Sequence, residues 1–376
     1  MKVLAMMSGG VDSSVTAHLL KKEGHEVVGL TLRLFEVSKE GGNCCGSPRD
    51  IYDAKECARL IGIPHYSLDE SGEFKQQVIE SFKRSYLMGE TPNPCVECNR
   101  SMKFGHILEL AKTWGFDAVA TGHYAKIKKM LDAGCWMLDE KKARLGLYKA
   151  KDKQKDQSYF LYMLKESQLK NILFPLGDLE KTEVRKIADG IGLPTAQKPD
   201  SQEICFVGAL AGGDYRKLLG DQNGHGPIIQ KSSGRVLAQH EGYYRYTVGQ
   251  REGLGVAVGR PLYVTEINPA SRTVYVDFEE ELYKKEIAVG EIYWVNNEDS
   301  GEAQIRAQVK IRYKSPGVMA TIYPKGFGAG EPPLNPVAEA VRRARGTWGA
   351  GGAAPRGPAS TRGEPSGLVL GSGGKG

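Results

Sequence analysis

The chain has 376 residues, of which 40% are hydrophobic and 26% are charged, and its formal net charge is +6. This length predicts two or three compact domains, and no apolar stretch approaches the roughly 18 to 20 residues that cross a bilayer. We therefore expect no membrane role. The small positive charge favours a polyanionic partner without requiring one.

The first residues and the cysteines together indicate a cellular compartment. The opening stretch MKVLAMMSGG reaches glycine before the apolar core of a signal peptide can develop, so we expect a cytoplasmic protein. In the cytoplasm, seven irregularly spaced cysteines are more typical of reactive, metal-binding or buried thiols than of a disulfide framework.

The first half of the chain alternates short apolar runs with amphipathic segments. In chain order, the predicted elements are a strand over 2–7, a helix over 14–23, a strand over 26–34, a helix capped by Asp50 and ending at Ile61, a strand over 64–68, a helix over 103–114, a strand over 118–120 and a helix over 180–191. This alternation predicts an α/β fold with a doubly wound parallel sheet.

The composition changes after Cys205. Short β-branched and aromatic runs, separated by Gly, Asn and Pro, predict strands over 227–230, 262–267, 273–276, 287–295 and 304–313, as in small sheets or a barrel. From Gly326 onward Gly, Ala, Pro and Arg dominate, and such a segment cannot bury enough surface to offset its ordering entropy, so we expect disorder. The predicted organisation is an α/β domain over 1–205, a small mixed central domain over 206–285, a C-terminal β-barrel-like domain over 286–325 and a tail over 326–376.

The sharpest local signal is SGGVDSS at residues 8–14, between a predicted strand and a predicted helix. Glycines let the backbone approach a polyanion, and hydroxyls and amides at a helix N-terminus donate to phosphate oxygens. The segment lacks the GK[ST] of a Walker loop, and it resembles the PP-loop of ATP pyrophosphatases. The alternative is an ordinary Gly-Ser turn before a helix.

The PP-loop resemblance implies an ATP site. In that family the loop holds the pyrophosphate that leaves when ATP adenylates a carbonyl oxygen, so Asp12 is expected beside Mg²⁺ and the phosphates. The implied nucleotide contacts are Met6, Met7, Ser8, Gly9, Gly10, Val11, Asp12, Ser13, Leu32 and Gly122. An ordinary strand residue explains Leu32 equally well.

Two cysteine-containing segments indicate which class of substrate the enzyme adenylates. TPNPCVECN at 91–99 and DSQEICF at 200–206 closely resemble the surroundings of the two catalytic cysteines of tRNA 2-thiouridylases, the tRNA uridine 2-sulfurtransferases. Further matches are ATGHY at 120–124, KDQSYFL at 155–161 and TVGQR at 247–251. The resemblance extends over about residues 1–325, and the 1–205 domain is then the PP-loop catalytic domain.

The resemblance implies 2-thiolation of the wobble uridine in the anticodon. Replacing the C2 oxygen requires that it become a leaving group, which adenylation by ATP achieves, and a sulfur nucleophile, which a persulfide supplies. By resemblance, Cys205 carries the persulfide delivered by a cysteine desulfurase or sulfur-relay protein. Cys98 either attacks the activated C2 or resolves the persulfide, which leaves a Cys98–Cys205 disulfide. Two buried core cysteines are the plainer alternative.

Cys95 differs from the aspartate that many relatives carry at this position. With Cys98 it forms a C-x-x-C that, together with Cys205, could supply three thiolates to a [4Fe-4S] cluster. A zinc site lacks the second C-x-x-C that would complete it. We favour the cluster-free persulfide route, and we expect a neutral loop role for Cys44 and Cys45.

The partner implied by the resemblance is the anticodon stem-loop of tRNA, bound by a monomer, with the 206–285 domain in contact with it. The implied tRNA contacts are Asn93, Pro94, Cys95, Lys155, Asp156, Gln157, Arg312 and Tyr313. Residues 155–157 also suit a helix start, whereas Arg312 and Tyr313 offer a cation and a stacking ring for nucleotides. We expect His123 to be structural.

The chain departs from the family after Gly326, where relatives continue their C-terminal barrel. The Gly, Ala, Pro and Arg composition resembles a GC-rich gene translated in the wrong frame, so we expect an incomplete barrel and a frameshift or assembly error in the source sequence. Two rival functions remain at this point. One is another PP-loop adenylating enzyme acting on tRNA or a small carbonyl substrate, which needs no paired cysteines, and the other is a non-catalytic RNA-binding iron-sulfur scaffold.

Overall fold

The computed structural model describes residues 1–35, 47–130, 144–201, 204–220, 223–290, 292–295, 304–313 and 315–324. The expectations for Cys44, Cys45 and the tail after 326 concern residues outside these ranges. The described chain forms two compact units. The first contains the described residues of 1–81 and 94–218 with Val295, and the second contains 82–93 and the remaining described residues from 219 onward.

A five-stranded parallel sheet forms the centre of the first unit. Its strands are β1 (Lys2–Met6), β2 (Glu26–Arg33), β3 (His65–Asp69), β4 (Ala118–Ala120) and, after an antiparallel hairpin of β5 (Ala125–Met130) and β6 (Arg144–Lys149), β7 (Ile172–Leu173). The order across the sheet is β3-β2-β1-β4-β7, and every pair is parallel. The chain therefore winds in both directions from β1, which confirms the predicted fold class and places a switch point between β1 and β4.

Short helices follow one another in this part of the chain, and those at Glu80–Leu87 and Arg216–Leu219 extend into the second unit. They are α1 (Val11–Lys22), α2 (Pro48–Ile61), α3 (Ser71–Phe74), α4 (Glu80–Leu87), α5 (Pro94–Glu97), α6 (Ile107–Thr113), α7 (Glu166–Leu169), α8 (Lys181–Gly190), α9 (Cys205–Ala211) and α10 (Arg216–Leu219), with π-helical turns over Lys75–Ile79 and Cys98–His106. Apolar side chains of β1, α1, α2 and α8 share one buried core. No helix among the described residues is long and apolar enough to cross a membrane.

Three predicted helix starts are wrong. The first helix begins at Val11 rather than at 14, because extended Gly10 forms its N-cap. Ser47, not Asp50, caps α2, since its hydroxyl accepts the backbone N–H of Asp50 while Pro48 occupies the first turn. The helix predicted from 103 already begins at Pro94 and passes through the π-helical turn before α6.

Sheets also dominate the second unit. The strands β8 (Gly226–Gln230), β9 (Val236–His240), β10 (Tyr263–Asn268) and β11 (Thr273–Asp277) form a mixed sheet in the order β10-β11-β8-β9. A hairpin of β12 (Ile305–Val309) and β13 (Val318–Ile322) follows. The predicted small sheets are thus confirmed. Their apolar side chains share a core that includes Val264, Val274 and Val276.

One predicted strand of the second unit is wrong. Residues 287–290 and 292–295 contain no strand, and Ile287 and Val289 are exposed. A strand needs a neighbour to accept and donate its backbone hydrogen bonds, and the described residues contain no strand that pairs with this segment.

Candidate active site

The loop after β1 and the first turn of α1 form a compact cradle. Ser8 donates its backbone N–H to the Ser13 hydroxyl at 3.1 Å, and the hydroxyls of Ser13 and Ser14 donate to the carbonyl of Gly10 at 3.1 and 3.0 Å. The first N–H groups of an α-helix have no intrahelical acceptor, so the first turn of α1 presents donors at the carboxyl edge of the sheet. This geometry suits an anionic ligand such as a phosphate chain.

Two glycines of this region have no room for a side chain. Gly9 has a φ of +72°, and a Cβ there would lie 2.3 Å from the carbonyl oxygen of Asp50. At Gly122, in the loop after β4, a Cβ would lie 2.9 Å from the backbone of Asp12 and Ser13. The loop after β4 therefore approaches the start of α1 at the switch point.

The remaining predicted nucleotide residues lie at the ends of neighbouring strands. Met6 ends β1, and Met7 donates its N–H to Leu30 and accepts the Thr31 hydroxyl on its carbonyl at 2.7 Å. Leu32 is buried on β2. The structure thus brings the predicted residues of 6–13 together with Gly122, while Leu32 lies on the adjacent strand.

An ionic network surrounds Asp12. The ammonium of Lys181 lies 2.7 Å from both carboxylate oxygens of Asp12 and 2.7 Å from Asp200, and Tyr124 donates its hydroxyl to Asp12 at 2.8 Å. Lys155 pairs with Asp200 at 2.6 Å, and Arg185 approaches the same carboxylate at 3.3 Å. Asp12 and Lys155, which the sequence predicted separately, are therefore linked through Lys181 and Asp200.

The pKa directions follow from these contacts. Burial alone would raise the pKa of Asp200, but hydrogen bonds from Lys155 and Lys181 outweigh it and lower that pKa. The hydrogen bond to Asp200 raises the pKa of Lys155, and burial together with the charge of Asp12 raises the pKa of Tyr124. Lys155 is therefore cationic, Asp200 anionic and Tyr124 neutral near neutral pH.

Neither Lys181 nor the role of Asp200 in this ionic network was predicted from the sequence. Lys181 is the first residue of α8 and is only 8% exposed. A cation at a helix N-terminus opposes the helix dipole, so its burial there requires carboxylate partners. A lysine at the predicted start of a helix was therefore the sequence feature that could have indicated nearby carboxylates. Asp200 is the first residue of the DSQEICF segment, but no role was predicted for it.

Each of the two predicted catalytic cysteines is followed in sequence by a buried residue with a defined contact. Cys98 opens the π-helical turn, and the next residue, buried Asn99, donates to the carbonyl of Phe160 at 3.0 Å. Cys205 opens α9, and buried Phe206 packs edge-on against Phe74. Both thiol-bearing residues are partly exposed, whereas Cys95 is exposed.

The described residues contain no iron-sulfur ligand set. Within the part of the chain that the structure describes, no three Cys, His, Asp or Glu side chains converge as metal ligands. Cys95, Cys98 and Cys205 all belong to that part, so they do not form the group of thiolates that a cluster needs.

The predicted tRNA residues of 155–157 carry internal contacts besides the Lys155 pair. Asp156 accepts the backbone N–H of Ala150 at 2.9 Å and the Ser158 hydroxyl at 2.9 Å. Gln157 exchanges two hydrogen bonds with the backbone of Tyr124, at 3.0 and 2.8 Å. These contacts hold the turn that precedes a 3₁₀ helix at Ser158–Phe160, close to the helix start that the sequence also allowed.

The other predicted tRNA residues are divided between the units. Pro94 and Cys95 lie in the first unit, and Asn93, Arg312 and Tyr313 lie in the second. Arg312 donates to the carbonyl of Val248 at 3.2 Å, within the TVGQR segment. The ammonium of Lys310 lies 5.8 Å from the centroid of the Tyr313 ring.

His123 has a structural environment. Its ring packs against Phe104 and Phe174, which also contact each other, and its Nδ1 is 2.6 Å from the hydroxyl of Thr121. Burial, with a smaller contribution from Lys103, lowers the pKa of His123 well below its ordinary value. The imidazole is therefore neutral near neutral pH.

Known protein families match residues of both units. Residues 1–209 match the family model described as tRNA methyl transferase HUP domain, and residues 216–277 match the tRNA methyl transferase PRC-barrel domain. The tRNA-specific 2-thiouridylase of Syntrophus aciditrophicus (strain SB) is 45% identical over 326 residues, which are 86% of this chain and 83% of the relative. Those of Clostridioides difficile (strain 630) and Caulobacter sp. (strain K31) are 42% and 44% identical, over 86% and 89% of this chain and 88% and 81% of the relatives.

Proposed function

The chain belongs to the tRNA-specific 2-thiouridylase family, and from that premise we propose how its residues carry out tRNA 2-thiolation. ATP adenylates the C2 carbonyl oxygen of the wobble uridine, and sulfur from a cysteine persulfide replaces it, giving 2-thiouridine, AMP and pyrophosphate. The supporting observation is the ionic network that joins Asp12 of the loop to Asp200, in the segment that leads into Cys205.

In the activation step, the first-turn N–H groups of α1 and the hydroxyls of Ser8 and Ser13 bind the phosphates of ATP. Asp12, with phosphate oxygens, fits Mg²⁺, a hard cation that prefers oxygen ligands and commonly takes only one or two carboxylates from the protein. Bound there, Mg²⁺ would neutralise charge on the departing pyrophosphate. Lys181, which contacts both oxygens of Asp12 at 2.7 Å, orients this carboxylate.

In the sulfur step, Cys205 carries a persulfide whose terminal sulfur adds to the adenylated C2. AMP leaves with the original oxygen, so that C2 is joined to Cys205 through a disulfide. The Cys98 thiolate then attacks the Cys205 sulfur, the S–S bond breaks, and its electron pair leaves on the sulfur of 2-thiouridine. Cys98 and Cys205 end as a disulfide, which an external dithiol must reduce before the next cycle.

The proposed route uses no iron-sulfur cluster, because the two cysteines already account for the sulfur chemistry. A cysteine desulfurase or sulfur-relay protein supplies the persulfide sulfur. The anticodon stem-loop contacts Asn93, Pro94, Cys95, Lys155, Asp156, Gln157, Arg312 and Tyr313. The monomeric state and the cytoplasmic location stay predictions from the sequence.

The family assignment also decides between the rival functions. Another PP-loop adenylating enzyme needs no paired cysteines, and a non-catalytic scaffold needs no nucleotide loop. This chain belongs to a family of enzymes that thiolate tRNA, so both rivals are set aside.

Asp12→Ala tests the activation step. The Asp12 side chain is partly exposed and belongs to no apolar core, so we expect the variant to fold while tRNA-dependent pyrophosphate release becomes undetectable. Glu109→Ala, which removes a carboxylate from an exposed ion pair with Lys112, is the matched control and should retain parental release. Undiminished release by Asp12→Ala would show that the role of the loop is misassigned.

A further inference from the structure

Lys198 lies in the segment between α8 and α9, and its ammonium contacts three acceptors. It donates to the carbonyl of Gly9 at 2.9 Å, to Asp50 at 2.7 Å and to Asp53 at 2.6 Å. Burial would lower the pKa of Lys198, but the hydrogen bonds to the two carboxylates outweigh it and raise that pKa. The side chain is therefore a fixed cation at the junction of the loop and α2.

This cation fixes the orientation of one peptide group in the loop. Gly9 has a positive φ and no side chain, so nothing in the residue itself holds the peptide that follows it. Because Lys198 holds the Gly9 carbonyl, the N–H of Gly10, on the opposite side of the same trans peptide, points away from Lys198. A fixed N–H donor in a phosphate-binding loop costs no reorganisation when the anion arrives.

The other end of this contact is tied to the segment that leads into Cys205. Arg185 donates to the carbonyls of Ala196 and Lys198, at 2.6 and 3.1 Å, and approaches Asp200 at 3.3 Å. Asp200 in turn pairs with Lys181 and Lys155. Residues 196–200 are thus held by α8 through Arg185 and by the loop through Lys198, so a continuous set of hydrogen bonds connects the loop to this segment.

We propose that Lys198 is a positioning residue that orients the Gly9–Gly10 peptide for ATP and couples occupancy of the loop to the conformation of the segment carrying Cys205. The inference rests on the proposed function, since it takes ATP as the ligand of the loop and Cys205 as the sulfur carrier. Coupling between two sites is reciprocal, so ATP should change the reactivity of Cys205.

The test compares the parent with Lys198→Met, which keeps the aliphatic stem and removes the charge. Two readouts need no turnover: the Kd of ATP with Mg²⁺ by equilibrium dialysis, and the rate of Cys205 alkylation by iodoacetamide with and without saturating ATP, followed by peptide mass spectrometry. Lys112→Met, in an exposed ion pair with Glu109, is the matched control.

We expect Lys198→Met to raise the Kd of ATP about tenfold, as loss of charge-assisted hydrogen bonds commonly does. In the parent, ATP should change the Cys205 alkylation rate about fivefold or more, and in Lys198→Met at saturating ATP it should change little. Lys198→Arg keeps the charge in a different donor geometry and should give intermediate values on both readouts. A merely structural lysine would not remove the ATP dependence of Cys205.

Two results would overturn the inference: an unchanged Kd in Lys198→Met, or a parent whose Cys205 reacts at the same rate with and without ATP. If Lys198→Met does not fold, Asp53→Asn replaces it, because a neutral amide holds Lys198 less firmly, and an unchanged Kd there counts equally against the inference. A parent that binds ATP but never thiolates tRNA contradicts the proposed function alone, since both readouts remain interpretable.

Discussion

At the residue scale, charged side chains of the first unit contact residues that are far away in sequence. Local sequence patterns do not predict these contacts. Lys181 reaches Asp12 across 169 sequence positions, and Lys198 reaches Gly9 across 189. Such contacts leave no periodic trace, so the sequence predicted Asp12 from its loop but neither lysine. Lys181, the most buried charged group of this network, has two carboxylate partners and keeps Asp200 when Asp12 is removed. Loss of both carboxylates would leave a buried cation unpaired, which commonly costs about 3–5 kcal/mol.

The cysteines were predicted by resemblance, and their roles stay predictions. What the structure adds is their local setting: Cys98 beside buried Asn99, and Cys205 beside buried Phe206. Cys95 is exposed, and the ligand set that its C-x-x-C suggested is not formed among the described residues. A spacing of cysteines in sequence does not fix the directions of their thiols, which is why the pattern alone could not decide between cluster and persulfide.

Serine substitutions separate the proposed roles of the two cysteines. With a cysteine desulfurase and cysteine supplied, Cys205→Ser should accumulate no protein-bound sulfane sulfur, because serine cannot form a persulfide. Cys98→Ser should still load sulfur yet yield no 2-thiouridine. Sulfane sulfur is measured by cold cyanolysis and 2-thiouridine by mass spectrometry of tRNA nucleosides. Cys57→Ser, at a buried core position, serves as the control for loss of a thiol elsewhere. Thiolation by Cys98→Ser at the parental rate would remove Cys98 from the mechanism.

At the element scale, the sequence predicted those elements whose apolar pattern is long and regular. The strands β1, β2, β3 and β4 and the helix α8 lie close to their predicted positions. The two-residue strand β7 and the edge strand β9 were not predicted, because β7 is too short to show a period and β9 is largely unburied. The early start of α1 matters most for function, since it puts Asp12 and Ser13 in the first helical turn rather than in a loop.

Close packing of the β4 loop against α1 gives an element-scale prediction. Gly122→Ala would put a Cβ 2.9 Å from backbone atoms of Asp12 and Ser13, so the first turn of α1 must shift. We expect the Kd of ATP to rise about tenfold, the cost of one or two misplaced charge-assisted hydrogen bonds, as measured by equilibrium dialysis.

The control for Gly122→Ala is Gly190→Ala, at the end of α8, where an added Cβ meets nothing within 4 Å. This control should keep the parental Kd. If Gly122→Ala also binds ATP as tightly as the parent, the first turn of α1 is not part of the nucleotide site.

At the scale of the whole molecule, the order of the chain does not coincide with its division into units. Residues 82–93 belong to the second unit, where Tyr243 donates to the carbonyl of Leu87 at 2.8 Å and the hydroxyls of Thr91 and Thr247 lie 3.1 Å apart. The TPNPCVECN segment is therefore shared, with Asn93 in the second unit and both of its cysteines in the first. Domain boundaries placed at single sequence positions, here 205 and 285, cannot describe a unit that also contains a separate earlier segment. These boundaries stay a prediction.

The central claim is that this chain transfers sulfur to the anticodon uridine in an ATP-dependent reaction. The most direct measurement is mass spectrometry of nucleosides from unmodified tRNA after incubation with the full chain, ATP, Mg²⁺, a cysteine desulfurase with cysteine, and a dithiol reductant. We expect 2-thiouridine at the wobble position, formed together with pyrophosphate and AMP and absent when ATP is omitted. Pyrophosphate release without 2-thiouridine, or 2-thiouridine formed equally without ATP, would contradict it.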